Sequence, residues 1–361
     1  MRRALALAAR GLGETNPNPA VGCVVARGSR VVGEGFHARA GGPHAEVVAL
    51  REAASRARGA TLYVTLEPCA HQGRTPPCAP LVRDSGVARV VAAISDPSPH
   101  VAGRGLALLR RAGIRVETGL LGGEAARLVE RFLARARLGR PFVLLKAALT
   151  LDGRIATASG RSRWITDGGQ RRQARWLRRL HDAVLVGIGT ALADDPLLLP
   201  SPRTRRPFLR VVLDSRLRLP AEGRLARSAT PRTPVLALTC APDPVRRRRL
   251  EAFGVQVVEV ACEQGRVSLA SALEALSARG VTSLMVEGGG EVLGSFLAAR
   301  LADQVALFRA PLLLGGRGSR PAFGGPDPAE IRDALSLEPA PDDPQFPWPW
   351  APRFELWRPK R

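Results

Sequence analysis

The feature that most narrows what this 361-residue chain can become is a set of three metal-binding residues, one histidine and two cysteines, with an acid two positions from the histidine. These are His44-Ala45-Glu46, Glu67-Pro68-Cys69 and, further on, Cys78. One imidazole and two thiolates can bind Zn²⁺ through three protein ligands and leave the fourth tetrahedral position open. An open position marks a catalytic site, whereas a structural site is closed by four ligands. Only a fold that brings residues 44, 69 and 78 together allows this.

The residue types match the ligand logic of zinc deaminases, with His, Cys and Cys on the metal and a Glu beside it that is not a ligand. Displacing an exocyclic amine from a pyrimidine needs hydroxide at neutral pH and protons for a ring nitrogen and the departing ammonia. Zinc lowers the pKa of bound water to about 7 in favourable sites. Two thiolates donate charge and make the metal a weaker acid than three imidazoles would, so a neighbouring base matters more. Glu46 is the candidate for both proton transfers.

In mid-helix His44 and Glu46 would point about 200° apart at 3.6 residues per turn. The pair is therefore expected at the start of a helix, after the breaker Gly41-Gly42-Pro43. That helix is predicted to run through Ala53 with Val47, Leu50 and Ala54 on its buried side. The competing reading is that one His and two Cys are core residues, since free Cys behaves as a small buried hydrophobe. Against it, Pro68-Cys69 follows a predicted strand, Ala60 to Leu66, at the end where active-site residues of α/β folds collect. Closing the site would require His71, Cys23 or His37 as a fourth ligand.

The formal net charge of +22 raises the question of a nucleic-acid or membrane partner. The basic residues are nearly all arginine, with Lys146 and Lys360 the only lysines, and they are dispersed except for Arg246 to Arg249. Aromatics for base stacking make up only 4%. The charge is read as compositional bias plus phosphate recognition, with neither nucleic acid nor membrane as a partner. Five cysteines, two assigned to zinc, predict no disulfide framework and a reducing, cytoplasmic compartment. Residues Met1 to Arg10 imitate a signal peptide, but the apolar run breaks at Arg10 and an amphipathic helix over 2–12 is expected. No run approaches the roughly 20 apolar residues of a membrane span.

After the Asn16-Pro17-Asn18-Pro19 loop, strands are predicted at 20–26 and 30–36 around a Gly28 turn. The zinc helix, the strand to Leu66, a helix at 78–84, a strand at 88–94, a helix at 103–112 and a strand at 114–118 follow. Alternation of this kind argues for a sheet covered on both faces. A helix from Gly123 to Leu138 ends at Gly139-Arg140-Pro141, which places a domain boundary near 140. The second half alternates again. Strands are predicted at 142–149, 183–187, 209–213, 234–239, 255–260, 282–287 and 303–309, and helices at 168–181, 244–253, 269–279 and 291–300. Its most informative stretch, Ser283 to Glu291, is a strand running into three glycines and a helix, where backbone amides can approach a phosphate. A plain tight turn explains the glycines equally simply.

Cys69 and Cys78 are separated by Ala-His-Gln-Gly-Arg-Thr-Pro-Pro, longer than the Pro-Cys-x-x-Cys of nucleoside deaminases. With Asn16 to Gly22 upstream, this resembles the deaminase half of the bifunctional riboflavin-biosynthesis deaminase–reductase. Thr150 to Arg154, Ser162 to Thr166 and Gly189 to Pro196 resemble its reductase half. The resemblance covers about residues 1 to 320. It implies an α/β protein with an N-terminal cytidine-deaminase-like αβα domain (1–140), followed by a dihydrofolate-reductase-like α/β domain (141–361) with a poorly defined tail from about 324.

By the same resemblance, His44, Cys69 and Cys78 would hold one Zn²⁺ per chain, and Glu46 would carry protons. Asn18 would line the substrate pocket. NADPH would meet Ala148, Trp164, Thr190, Asp194, Ser215 and the segment Gly289, Gly290, Glu291, Val292, Leu293, Gly294 and Ser295. Ser162, Arg178, Leu198 and Glu287 would hold the phosphorylated ribosylaminopyrimidine, with Lys146 close by. A homo-oligomer is allowed. From their place between the two cysteines, rather than from the resemblance, His71, Arg74 and Thr75 are expected to reach the sugar phosphate, with Arg74 equally readable as a solvated loop residue. One departure is plain: after Leu198 the family carries Thr-x-Arg, whereas this chain reads Leu199-Pro200-Ser201-Pro202-Arg203. Arg203 or Arg205 would have to take the arginine's place, or the phosphate contact is weaker.

Overall fold

The structure, a computed structural model, describes residues 1–72, 75–97, 102–325, 328–340 and 353–360. The chain forms two compact units, one of them Met1–Gly139 and the other beginning at Arg140.

In the first unit, helix α1 (Arg2–Ala9) precedes strands β1 (Gly22–Arg27) and β2 (Arg30–Phe36). The helix expected over 2–12 stops at Ala9 because Arg10 and Gly11 bond back only three residues, to Leu7 and Ala8. Then come α2 (Ala45–Ala53), β3 (Thr61–Val64), α3 (Cys78–Asp84), β4 (Arg89–Ala92), α4 (Arg104–Arg111) and β5 (Arg115–Thr118). The five strands lie in the order β2-β1-β3-β4-β5, with β3, β4 and β5 parallel and β1 antiparallel to both neighbours. Strand side chains alternate between faces. Cys23, Val25, Leu62 and Val64 therefore pack with α2, α3 and α4, whereas Val24 meets Ala4 and Leu7 of α1 on the other face.

Two expectations for this unit fail. The single helix predicted over 123–138 is two, α5 (Gly122–Leu128) and α6 (Glu130–Leu138), because Val129 leaves helical geometry at φ −109°, ψ 20°. Of the predicted buried face of α2, Leu50 is buried, Val47 is half-buried and Ala54 is exposed. The buried stripe is instead Ala45, Glu46, Ala49, Leu50 and Ala53. Small residues let α2 lie close on β2: a Cβ on Gly33 would stand 2.3 Å from the Ala49 carbonyl oxygen.

The second unit's strands begin with β6 (Phe142–Thr150), β7 (Arg154–Ala156), β8 (Ala183–Gly187), β9 (Leu209–Leu213), β10 (Val235–Thr239) and β11 (Gln256–Glu259). They continue with β12 (Cys262–Glu263), β13 (Arg266–Val267), β14 (Ser283–Val286), β15 (Gln304–Ala310), β16 (Arg320–Pro321), β17 (Leu337–Pro339) and β18 (Glu355–Pro359). Nine form one sheet in the order β11-β10-β9-β8-β14-β6-β15-β18-β17, parallel through β15 and antiparallel at β18 and β17. Helices α7 (Gly168–Arg179), α8 (Ile188–Asp194), α9 (Arg224–Arg227), α10 (Pro244–Ala252), α11 (Leu269–Ala278) and α12 (Gly290–Ala298) accompany it. One apolar cluster joins Val143, Leu145 and Leu185 to α11 and α12, and the opposite one joins Val184, Val186 and Val212 to Leu250 of α10.

The tail, without a recognisable pattern in the sequence, returns to this sheet: Val305 pairs with Trp357 and Ala306 with Leu356. Phe346 to Trp350 lie outside the described residues. The absence of disulfides expected from the cysteine count is also corrected. Cys240, just beyond β10, and Cys262 in β12 are bonded, with Cα atoms 5.1 Å apart. Cysteines separated by 22 residues in sequence meet because β11 runs parallel to β10 and the chain then folds back. No helix among the described residues is long and apolar enough to cross a membrane.

Candidate active sites

His44 caps α2 in extended geometry at φ −72°, ψ 162°, and Glu46 sits in the helix's first turn. The break after Pro43 is what lets two residues so close in sequence serve one site. Cys69 follows β3, and Cys78 opens α3. Ala79 N donates to the Cys69 carbonyl at 3.0 Å and Cys78 N to Cys69 Sγ at 3.3 Å, which draws the two sulfurs together. His44 Nδ1 lies 3.2 Å from Cys78 Sγ and 3.8 Å from Cys69 Sγ.

All three candidate ligand atoms fall within 4.8 Å of one another. Bond lengths of about 2.0–2.3 Å at tetrahedral angles put zinc ligands about 3.5–3.8 Å apart, so this donor set fits the ion. His71, Cys23 and His37 do not join the group. Cys23 is buried in β1 and His71 is exposed. His37 is spent on the Pro43 carbonyl (Nδ1, 3.0 Å) and Asn18 (Nε2, 3.2 Å). Among the described residues three ligands face the site, which leaves room for water.

The electrostatics favour proton handling. Glu46 is 3% exposed, and burial pushes its carboxyl up to about 7. The thiol hydrogen bond from Cys78 holds Cys69 down to about 4 and pushes Cys78 itself far up. His44 is raised, chiefly through its hydrogen bond with Cys69. A cavity of about 240 Å³ opens here, lined by Asn18, His37, His44, Glu46, Cys69, His71, Thr75, Asp96 and Phe132 among others. A larger cleft of about 360 Å³ in the second unit, lined by Leu217 to Glu222 with Arg246, Arg249 and Leu250, offers no comparable chemistry.

Sequence reasoning missed Glu67. Its buried carboxylate accepts the backbone amides of Asp96 (3.1 Å), Gly103 (3.1 Å), Gly105 (3.0 Å) and Leu106 (3.3 Å). It ties the loop that carries Cys69 to the N-terminal end of α4. Nothing before Pro68 signals this, because its partners lie about thirty to forty positions away in sequence. Thr75 Oγ1 stands 3.1 Å from His44 Nε2. Arg74 lies outside the described residues.

In the second unit, Arg178 of α7 meets Glu287 through Nε (2.5 Å) and Nη2 (3.0 Å), and its Nη1 donates to the Leu199 carbonyl (3.0 Å). Lys146 Nζ is 3.8 Å from Glu287. Gly289 N donates to Thr190 Oγ1 at 3.0 Å, where α12 begins. Asp194 pairs with Arg163 at 3.1 Å, and the guanidinium of Arg171 lies 4.3 Å over the Trp164 ring. Ser162 is half-buried two residues before that ring, and Ala148 is half-buried in β6. Leu198 is 4% exposed and packs in the core. Ser215 Oγ accepts Val267 N at 3.2 Å. Arg203 and Arg205 are both exposed.

A zinc-type His/Cys/Cys centre on one α/β unit and a glycine-opened helix beside a buried Lys–Glu–Arg cluster on another define a two-domain deaminase–reductase. The family model of the cytidine and deoxycytidylate deaminase zinc-binding region matches residues 1–94, and that of the RibD C-terminal domain matches residues 141–340. The chain is 42% identical over 340 residues to the riboflavin biosynthesis protein RibD of Bacillus amyloliquefaciens, covering 94% of this chain and 91% of that one. It is 42% identical over 335 residues to the RibD of Escherichia coli, covering 87% and 88%. The solved structure of Acinetobacter baumannii RibD superposes with a TM-score of 0.86 at 37% identity, over 100% of this chain and 98% of that one. A Thermotoga maritima diaminohydroxyphosphoribosylaminopyrimidine deaminase/5-amino-6-(5-phosphoribosylamino)uracil reductase gives 0.82 at 36% identity, over 100% and 97%. The chain belongs to the RibD family of riboflavin biosynthesis, whose members join a zinc-dependent deaminase to an NADPH-dependent reductase.

Proposed function

We propose that residues 1–140 hydrolyse the 2-amino group of 2,5-diamino-6-ribosylamino-4(3H)-pyrimidinone 5′-phosphate. Residues 141–361 then use NADPH to reduce the ribosyl chain to ribityl, giving 5-amino-6-ribitylaminouracil 5′-phosphate. The observation that carries the first half is the convergence of His44, Cys69 and Cys78 beside a buried Glu46 in one cavity.

Zinc held by those three residues would supply a Lewis acid that lowers the pKa of water. Glu46 would move both protons of the attacking water in turn, one to the ring nitrogen and one to the departing ammonia. A carboxyl near neutrality serves both directions of transfer. Asn18, held by His37, orients the pyrimidine, and His71 on the cavity wall faces the sugar phosphate.

In the reductase half the cofactor carries the hydride, so the protein has to orient C1′ and supply a proton. NADPH is assigned to Ala148, Trp164, Thr190, Asp194, Ser215 and residues 289–295, with Gly289 and Gly290 offering amides at the start of α12. The substrate is assigned to Ser162, Arg178, Leu198 and Glu287, with Asp194 and Glu287 as polar guides. The work is cytoplasmic, on a small phosphorylated substrate, with neither nucleic acid nor membrane as partner and with a homo-oligomer allowed.

Replacing Glu46 with Gln is the test. Deamination should fall by roughly 10²–10⁴, while NADPH oxidation on pre-deaminated substrate stays intact. Loss of both activities together contradicts separate sites.

A further inference from the structure

Beyond the phosphate contact proposed for His71, the long spacer between the two cysteines has no role in the chemistry described so far. Eight residues separate Cys69 from Cys78, whereas the Pro-Cys-x-x-Cys pattern of other zinc deaminases closes the same pair with two. The extra length adds no ligand, since the metal-type group among the described residues is His44, Cys69 and Cys78. It is not needed to join the sulfurs either: the backbone amides of Cys78 and Ala79 already bond back to Cys69.

What the spacer does bring in is a hydroxyl. Thr75 Oγ1 lies 3.1 Å from His44 Nε2, while His44 Nδ1 faces the sulfurs at 3.2 and 3.8 Å. The imidazole thus spans the distance from the thiols to Thr75. Pro76 and Pro77 follow, with Pro77 extended at φ −62°, ψ 142° before Cys78 opens α3. Two consecutive prolines restrict the backbone on both sides of each bond. The hydroxyl is therefore set at a nearly fixed distance from a ligand three residues on.

A neutral imidazole carries one N–H, and the nitrogen without it is the one free to bind a metal. Metal-bound histidines are commonly held by a hydrogen bond from the other ring nitrogen. We propose that Thr75 is a positioning residue that accepts the Nε2–H of His44, fixing the tautomer and ring angle that present Nδ1 to zinc. The lengthened spacer supplies this hydroxyl. The inference rests on His44, Cys69 and Cys78 being the zinc ligands, and it gives Thr75 a different task from the sugar-phosphate contact expected from the sequence.

The test uses full-length Thr75→Val, which keeps the shape and removes the hydroxyl, and Thr75→Ser, which keeps the hydroxyl. Zinc affinity is read by competition with a chromogenic chelator, and the ligand field is read from the absorption bands of the Co²⁺-substituted protein. The valine variant should bind zinc roughly 10–100-fold more weakly and show shifted Co²⁺ bands. The serine variant should match wild type in both. Wild-type zinc affinity in the valine variant overturns the proposal, most clearly if KM for the diaminopyrimidine rises instead. Equal zinc loss in both variants also overturns it, since loop packing would then be responsible. A wild-type protein that binds no zinc would contradict the ligand assignment itself, a separate failure.

Discussion

Arg178 grips both oxygens of Glu287, at 2.5 and 3.0 Å, in a site where the Glu287 side chain is only 9% exposed. With Lys146 Nζ 3.8 Å away, two cations share one carboxylate. The residual positive charge suits a phosphorylated sugar. Removing one partner of a buried pair costs about 3–5 kcal/mol, because the other is left uncompensated. Glu287→Gln should therefore lower the denaturant midpoint of the second unit and cut reductase turnover. Deaminase activity in the same preparation should be retained.

The same cluster predicts a pH dependence. Burial raises the Glu287 carboxyl, but the charges of Arg178 and Lys146 outweigh it and hold it below the ordinary range. A depressed carboxylate contributes stability that is fully present above its unfolded value, about 4.3. That contribution is lost as pH falls through the folded value. Burial lowers Lys146, so its penalty is full at low pH and eases as pH rises from the folded towards the unfolded value. Denaturant midpoints measured against pH should show an acid-side loss in wild type that is smaller in Glu287→Gln, where only the other depressed carboxylates such as Asp152 remain.

Glu67 makes a stability prediction for the other unit. Its carboxylate serves four backbone amides, those of residues 96, 103, 105 and 106. Each buried donor left without a partner costs about 1–3 kcal/mol. Glu67→Ala should destabilise the first unit by at least about 2 kcal/mol in a denaturant titration. Because Cys69 lies two residues on, zinc should also be held more weakly. An unchanged midpoint would mean that water replaces the carboxylate at no cost.

Metal removal should separate the two activities. Dialysis against a chelator should abolish deamination, and added Zn²⁺ should restore it, while NADPH oxidation on pre-deaminated substrate is untouched. Thiolate and imidazole ligands must lose protons to bind, so zinc affinity should fall as pH is lowered. Proton release on zinc addition, measured in weak buffer, gives an independent readout.

Much of this was legible because it is local. The His44–Glu46 spacing demanded a helix start, and His44 is the residue that caps α2. Alternating apolar runs marked the parallel strands, as at Ala183–Gly187 and Leu209–Leu213. What stayed hidden depends on distant partners. Glu355–Pro359 is a strand because Gln304–Ala310 offers an edge to pair with. Glu67 reads as an ordinary acid until α4 presents its amides. Cys240 and Cys262 meet only once β10 and β11 lie side by side. The break at Val129 has neither Gly nor Pro to announce it, and Leu128, Val129 and Leu133 all pack in one apolar cluster.

The most direct measurement supplies the purified protein with the diaminopyrimidine ribosyl phosphate and NADPH and quantifies ammonia and NADP⁺ together. Equal amounts of the two, both suppressed in Glu46→Gln, are predicted. Ammonia without NADP⁺, or NADPH oxidised while the 2-amino group is retained, would contradict two consecutive steps on one chain.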